Sequence, residues 1–298
     1  MTASEESLDE YGARLLRLFG PPPANWVRTS DADHDVLVAG GGQAGLAVGF
    51  ALRRAGIARA TVIDAAEEGA KGVWRTLARM RRLRTPKAWQ EPELGFPELS
   101  FRNWYERTQG EEAYERLDRI PTSTWAEYLD WVERTVQVPV RHRTRLVGVA
   151  PAGELLALRL EIAAADGSTR VVEETARKLI LANGVEGTGG PARPPVFAGL
   201  PRHLAAHTGE RIDFDAIRGR RVAVLGAAAS ALDVVVAALE AGAGEVHLFT
   251  RRPELLVQGP EVAPLPALGG RENFHRRSDA DRWRLKLAEA RGGRLCTL

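Results

Sequence analysis

Cysteine is nearly absent from this chain: the one thiol, Cys296, rules out a disulfide framework, a thiolate metal cluster and a redox-active Cys-x-x-Cys pair. Long apolar runs are missing too. No stretch reaches the roughly eighteen apolar residues of a membrane span, and Met1 to Glu10, with four acids, is the reverse of a signal peptide, so a cytoplasmic protein without a membrane partner is expected. Charge of one sign is also lacking. The 41 basic and 39 acidic residues leave a formal charge of +2, too balanced for nucleic acid as a global partner. A local exception is Arg75, Arg79, Arg81, Arg82 and Arg84, followed by Lys87. A basic patch without interleaved aromatics reads as a solvated loop or a wall near anionic ligands rather than a single-strand platform. Clustered His and carboxylate ligands for a metal, a Ser-His-Asp order and a phosphate-transfer loop ending in Lys-Ser or Lys-Thr are absent as well.

Glycine, by contrast, is placed with purpose. Val36 to Ala39 supplies a short apolar strand, Gly40-Gly41-Gly42-Gln43-Ala44-Gly45 a turn, and Leu46 to Leu52 the body of an apolar helix. Free N–H groups at the start of such a helix hold a pyrophosphate. Gly40 permits the tight turn, Gly42 lets backbone approach phosphate, and Gly45 lets helix and strand pack closely. A second strand, Ala60 to Ile63, ends in Asp64, whose carboxylate suits the two hydroxyls of an adenosine ribose.

The same unit recurs at Arg221 to Leu225, Gly226-Ala227-Ala228-Ala229-Ser230-Ala231, Leu232 to Leu239 and Glu245 to Phe249. Ala228 stands where the second glycine belongs, so its methyl crowds the closest phosphate approach. Thr250-Arg251-Arg252 replaces the acid. Guanidinium groups there suit a ribose 2′-phosphate and favour NADPH over NADH; the alternative is a pair of solvated strand-end charges.

The expected fold is α/β, with two Rossmann-like dinucleotide-binding units, a small antiparallel excursion, and an incomplete second unit. Residues 1–30 read as a helical segment, with Leu8, Tyr11, Leu15 and Phe19 at helical spacing; 31–190 as a first nucleotide domain; 191–218 as a linker; and 219–298 as a partial second domain. Within the first domain, 70–120 reads as irregular, Thr124-x-x-Glu127 as a capping box, and 146–181 as the β excursion around an Asp166-Gly167 turn.

These residues resemble the flavin-containing monooxygenase superfamily, and within it the bacterial CzcO-type flavoproteins, over about Asp35 to Trp283. Gly72-Val73-Trp74-Arg75 resembles the family's Gly-Gly-x-Trp element, with Lys71 in place of the first glycine. Leu83 to Lys87, Leu99 to Tyr105 and Arg119 to Thr122 resemble that branch, and Ala182-Asn183-Gly184 resembles its Ala-Thr-Gly stretch. Phe197-x-Gly199 followed by His203, or else His207-Thr208, resembles a linker signature of the superfamily. The resemblance implies FAD at Gly40, Gly42, Gln43, Ala44, Gly45, Asp64, Trp74, Arg75, Ala182 and Gly184, and NADPH at Gly226, Ala228, Ser230, Ala231, Arg251 and Arg252. It also implies hydride transfer from NADPH to FAD and delivery of one oxygen of O₂ to a small-molecule substrate. The family's active-site asparagine is replaced by Thr85-Pro86-Lys87. Family members carry a longer C-terminal portion, so a shortened member is expected. Two other readings stay open: a flavin oxidoreductase without oxygen insertion, and a catalytically silent nucleotide-binding protein.

Overall fold

The computed structural model describes residues 6–70, 72–89, 92–187, 189–191, 193–251, 255 and 276–284. The chain forms two compact units, Met1–Leu200 and Pro201–Leu298.

In the first unit, α1 (Leu8–Phe19) opens at a Ser7 capping box and stops at Gly20. β1 (His34–Ala39) and α2 (Gln43–Arg54) lead into β2 (Ala60–Ile63). Three helices follow, α3 (Phe101–Gln109), α4 (Glu111–Arg116) and α5 (Thr122–Val136), and then β3 (Val140–Arg141). β4 (Thr144–Ala152), β5 (Leu155–Ala163) and β6 (Thr169–Leu181) come last, before the short α6 (Gly184–Gly187). The strands make one six-stranded sheet in the order β3-β2-β1-β6-β5-β4. β1 lies parallel to both β2 and β6, β2 is parallel to β3, and β6, β5 and β4 form an antiparallel meander. The β excursion is therefore welded to the nucleotide sheet by β6, which serves both.

β1 is buried at every position because sheet neighbours flank it and apolar side chains cover both faces. Val36, Val38 and Val62 face a large core shared with α1, α2, α3 and α5; Leu37, Ala39 and Ile63 face a smaller one with Leu158, Leu160 and Ala176. Helix α1 closes the large core against α5. Tyr11 stacks on Trp131 at 6.3 Å and 8°, and Trp131 Nε1 donates to the Leu8 carbonyl at 3.2 Å. Arg54 donates to the Phe19 and Gly20 carbonyls, and Arg53 to that of Gln137, so the C-terminal ends of α1 and α5 are tied to α2.

Two local expectations change. Helix α5 starts at Thr122 with Pro121 as its N-cap, so Thr124 lies inside the first turn and does not cap it. Proline presets the entry angle, and the Thr122 N–H is taken by the Arg81 carbonyl. The second half of the 70–120 region is helical: Ser100 caps α3, and Phe101 and Trp104 pack inward at a spacing of three. Lys71, Arg252 and Cys296 lie outside the described residues.

In the second unit, β7 (Arg221–Leu225), α7 (Ala229–Glu240) and β8 (Glu245–Phe249) form a parallel pair with one helix. Val224, Ala231 and Val234 are its buried centre.

One charged network is embedded in the first sheet. Glu174 on β6 accepts two hydrogen bonds from Arg141 on β3, at 2.9 and 3.0 Å, and a third contact of 2.7 Å comes from His34 Nε2. Burial pushes the Glu174 carboxyl up, but the Arg141 and His34 hydrogen bonds outweigh it and the net direction is down. A carboxyl depressed in the folded state stabilises the fold above its unfolded pKa, about 4.3, and that stabilisation is lost as pH falls through the folded value. The Glu174→Gln protein should lose on the order of 1–3 kcal/mol at neutral pH. Urea unfolding as a function of pH should show a shallower acid loss in the variant; identical profiles would disprove the assignment.

Candidate functional site

The first glycine turn is built by strand ends that crowd it from below. The Gly40 N–H donates to the Ile63 carbonyl at 2.8 Å, and the Ala182 N–H to the Ala39 carbonyl at 2.8 Å. Gly40 has φ of +113°, and a Cβ there would lie 2.3 Å from the Ala182 carbonyl oxygen. A Cβ on Gly45 would lie 1.7 Å from the Gly40 carbonyl oxygen. Neither position admits a side chain, whatever binds above them. Gly42 differs. It is extended, at φ −71° and ψ −171°, and an added Cβ would meet only the Gly72 Cα, at 3.7 Å. The protein leaves room at Gly42 that its own packing does not require.

Gly42 is also the N-cap of α2, and no side chain caps the helix there, whereas α1 and α3 carry serine caps. The first-turn N–H groups of a helix have no intrahelical partners, and with the helix dipole they favour an anion. Gln43, Ala44 and Gly45 make up that first turn. Asp64 sits just beyond β2, with Oδ2 accepting from the Gly41 N–H at 2.6 Å and Oδ1 from the Ala66 N–H at 2.8 Å. Its carboxylate thus orders the turn, and each oxygen keeps acceptor capacity.

The 72–78 segment folds over this turn. Trp74 Nε1 donates to Gln43 Oε1 at 3.3 Å, and the Trp74 ring stands edge-on to Trp125 at 6.2 Å. Arg75, beside Trp74, pairs with Asp130 on α5. Ala182 packs against Gly40 and Gly45, and Gly184, at φ +72°, opens α6 with free space around it. The structure thus brings Gly40, Gly42, Gln43, Gly45, Asp64, Trp74 and Ala182 together.

The second turn repeats the construction. Its Gly226 N–H donates to the Phe249 carbonyl at 2.9 Å, and φ at Gly226 is +138°. Ala228 caps α7 at φ −90° and ψ 168°, an extended conformation open to any residue, and again no side chain caps the helix. The alanine is free of backbone strain, and it is exposed with its methyl at the helix mouth. Ala231 is buried where Gly45 stands in the first turn, while Ser230 and Arg251 are exposed. His207 is absorbed into its own turn: its Nδ1 accepts from the Gly209 N–H at 3.0 Å, and its N–H donates to Glu210 at 2.7 Å. His203 is exposed in a turn at Arg202–Leu204. Sequence reasoning missed the Asp64 contact to Gly41, since a contact across the turn leaves no periodic signal. Among the described residues no cluster of His, Cys, Asp or Glu could hold a metal, and no helix is long and apolar enough to cross a membrane.

The two crowded positions and the open one should separate on substitution. Gly45→Ala should cost several kcal/mol or prevent folding, as overpacking against fixed backbone does, whereas Gly42→Ala should cost only about 1 kcal/mol, as a weaker N-cap. Thermal melts of the two variants decide it; equal losses would contradict the geometry.

Comparison with known proteins gives a consistent group. The pyridine nucleotide-disulphide oxidoreductase family matches residues 37–264. The chain is 39% identical over 269 residues to a FAD-dependent urate hydroxylase of Xanthomonas campestris pv. campestris, covering 87% of this chain and 54% of that protein. It therefore spans about half the length of this curated relative. Among solved structures, an ornithine hydroxylase from Pseudomonas aeruginosa superposes with a TM-score of 0.67 at 20% identity, over 85% of this chain and 63% of that one. A flavin monooxygenase from Stenotrophomonas maltophilia, in mutant form, gives a TM-score of 0.52 at 26% identity, over 81% of this chain and 62% of that one.

Proposed function

The chain belongs to the pyridine nucleotide-disulphide oxidoreductase family, and from that premise we propose that it is an FAD- and NADPH-dependent monooxygenase, or a portion of one, acting on a small organic molecule. The observation that carries the reading is the pair of glycine turns, each opening a helix whose N-terminus no side chain caps. The disulfide chemistry in the family's name needs a cysteine pair, and the chain has one cysteine. The named relatives that hydroxylate or oxygenate small molecules support oxygen insertion instead.

The residues fit the cofactors. At the first turn the space above Gly42 and the N-terminus of α2 suit the FAD pyrophosphate, and Asp64 retains lone pairs for ribose hydroxyls. Bound flavin, reduced by NADPH, would supply the activation of O₂. The chain's own part is positional. Trp74, held by Gln43 and backed by Trp125, would line the flavin site with an apolar face and limit water there. At the second turn Gly226, Ser230, Ala231 and Arg251 would take NADPH, with Arg251 on the 2′-phosphate. Arg252 joins them only on the strength of its sequence position. A cytoplasmic setting suits an enzyme that draws on NADPH, and an electron-transferring oxidoreductase remains the competing outcome.

The test is the visible spectrum of the purified chain, then of the same sample with NADPH under anaerobic conditions. An oxidised flavin band that bleaches supports the proposal; a folded, colourless protein that takes up no added FAD refutes it. Asp64→Asn should weaken flavin retention by about 1.5–3 kcal/mol, because the amide turns an N–H₂ toward one of two N–H donors. Ala228→Gly should tighten NADPH by on the order of 1–3 kcal/mol without altering flavin content, provided its methyl crowds the phosphate. Titration of flavin bleaching measures that shift, and unchanged NADPH affinity would exonerate the alanine.

A further inference from the structure

The flavin reading gives no task to the ring cluster behind Trp74. From Trp74 the rings run to Trp125 at 6.2 Å and on to Tyr128 at 5.1 Å, where the path divides. One branch reaches Trp131 at 6.2 Å and Tyr11 at 6.3 Å; the other reaches Trp104 at 5.8 Å and Tyr105 at 6.4 Å, beyond which the buried Tyr114, 6.3 Å further, lies beneath Lys87 and Arg102, whose charges oppose the arrival of a positive charge there. Apolar packing accounts for burying rings but not for choosing indoles here. Trp104 and Trp125 each bury an Nε1–H with no hydrogen-bond partner among the described residues, a cost that phenylalanine would avoid.

We propose that these rings carry one-electron oxidising equivalents away from the flavin site to the surface at Tyr105; the proposal rests on the flavin reading above. Trp74 gives an electron to a one-electron oxidant at the site, such as light-excited oxidised isoalloxazine, and is refilled in turn through Trp125, Tyr128, Trp104 and Tyr105. An indole radical cation is trapped when its Nε1 proton leaves. Trp125 and Trp104 offer that proton no acceptor, so the charge moves on. The Tyr128 hydroxyl donates to the Leu99 carbonyl at 2.6 Å, which is no base at neutral pH, and Tyr128 serves as a bridge. The Tyr11 branch ends beneath two guanidinium groups, Arg107 at 3.8 Å and Arg14 at 5.1 Å from the ring centroid, which oppose the arrival of positive charge. Tyr105 is half-buried, and its hydroxyl has no protein partner among the described residues. It can release its proton to water. In balance, one electron passes from the Tyr105 phenol to the oxidant and one proton from its hydroxyl to solvent, leaving a phenoxyl radical that a thiol or ascorbate reduces.

The experiment illuminates the flavin-loaded chain with blue light in air, so that O₂ reoxidises the flavin, in the presence of a nitroso spin trap, and maps the adducts by peptide mass spectrometry. Trap on Tyr105 is expected, falling to background in Y105F, W74F and W125F, with label accumulating on Trp74 in W125F. Because Trp125 is wholly buried, Y105F and W74F keep the test valid should W125F fold poorly. Label confined to Trp74 in the unaltered chain, or Tyr105 label undiminished in W74F, would overturn the route. So would label that tracks exposure, as on Trp26, since this marks a diffusing oxidant. A chain that binds no flavin is recognised beforehand from its spectrum, and that outcome overturns the flavin reading and the route together.

Discussion

The approach of the Gly40 carbonyl to the Cα of Gly45 is the contact on which the first unit depends. Only with hydrogen at Gly45 does α2 start directly above the end of β1, with its open N–H groups over the turn. Every other part of the site takes its position from that start. Asp64 reaches the Gly41 N–H because β2 ends beside it, and Trp74 reaches Gln43 because Gln43 opens the helix. The second unit keeps only Gly226 of the four glycines and carries alanine at 227, 228 and 231, so the approach that demands hydrogen at Gly45 belongs to the first turn.

The parts legible in the sequence are those encoded locally. Strand, glycine turn, helix and strand can be read in order because period and composition change at each boundary, and α1 because its apolar residues recur at helical spacing and Gly20 ends it. The parts that were not legible depend on partners far along the chain. Thr124 and Glu127 carry a capping-box pattern, yet Pro121 and the Arg81 carbonyl settle the start of α5 from outside the motif. Arg75 pairs with Asp130 on a helix more than fifty residues away, a contact that its neighbours in sequence do not announce. The α3 and α4 segment is crowded with charge, which masks the inward pair Phe101 and Trp104.

Polar groups inside the first unit fall into two kinds. Glu174 takes hydrogen bonds from Arg141 and His34 across three strands of the sheet, so burial of its carboxylate is offset by paired charge. Trp104 and Trp125 bury indole N–H groups that have no partner among the described residues. Unsatisfied buried atoms occur in the sheet as well, at Asp35 Oδ1 and Arg141 Nε, so they are not confined to the helices behind the proposed flavin site.

β6 closes the glycine turn from the far side, since Ala182 lies against Gly40 and Gly45 although well over a hundred residues separate them in the chain. During synthesis the motif at 40–45 therefore leaves the ribosome long before its floor exists. Non-local strand pairing of this kind is slow and leaves apolar edges waiting. β1 must remain unpaired on one side until the meander is made, so nucleotide competence arrives as a late event in the folding of the unit, governed by the hairpins of β4, β5 and β6 rather than by the glycines themselves.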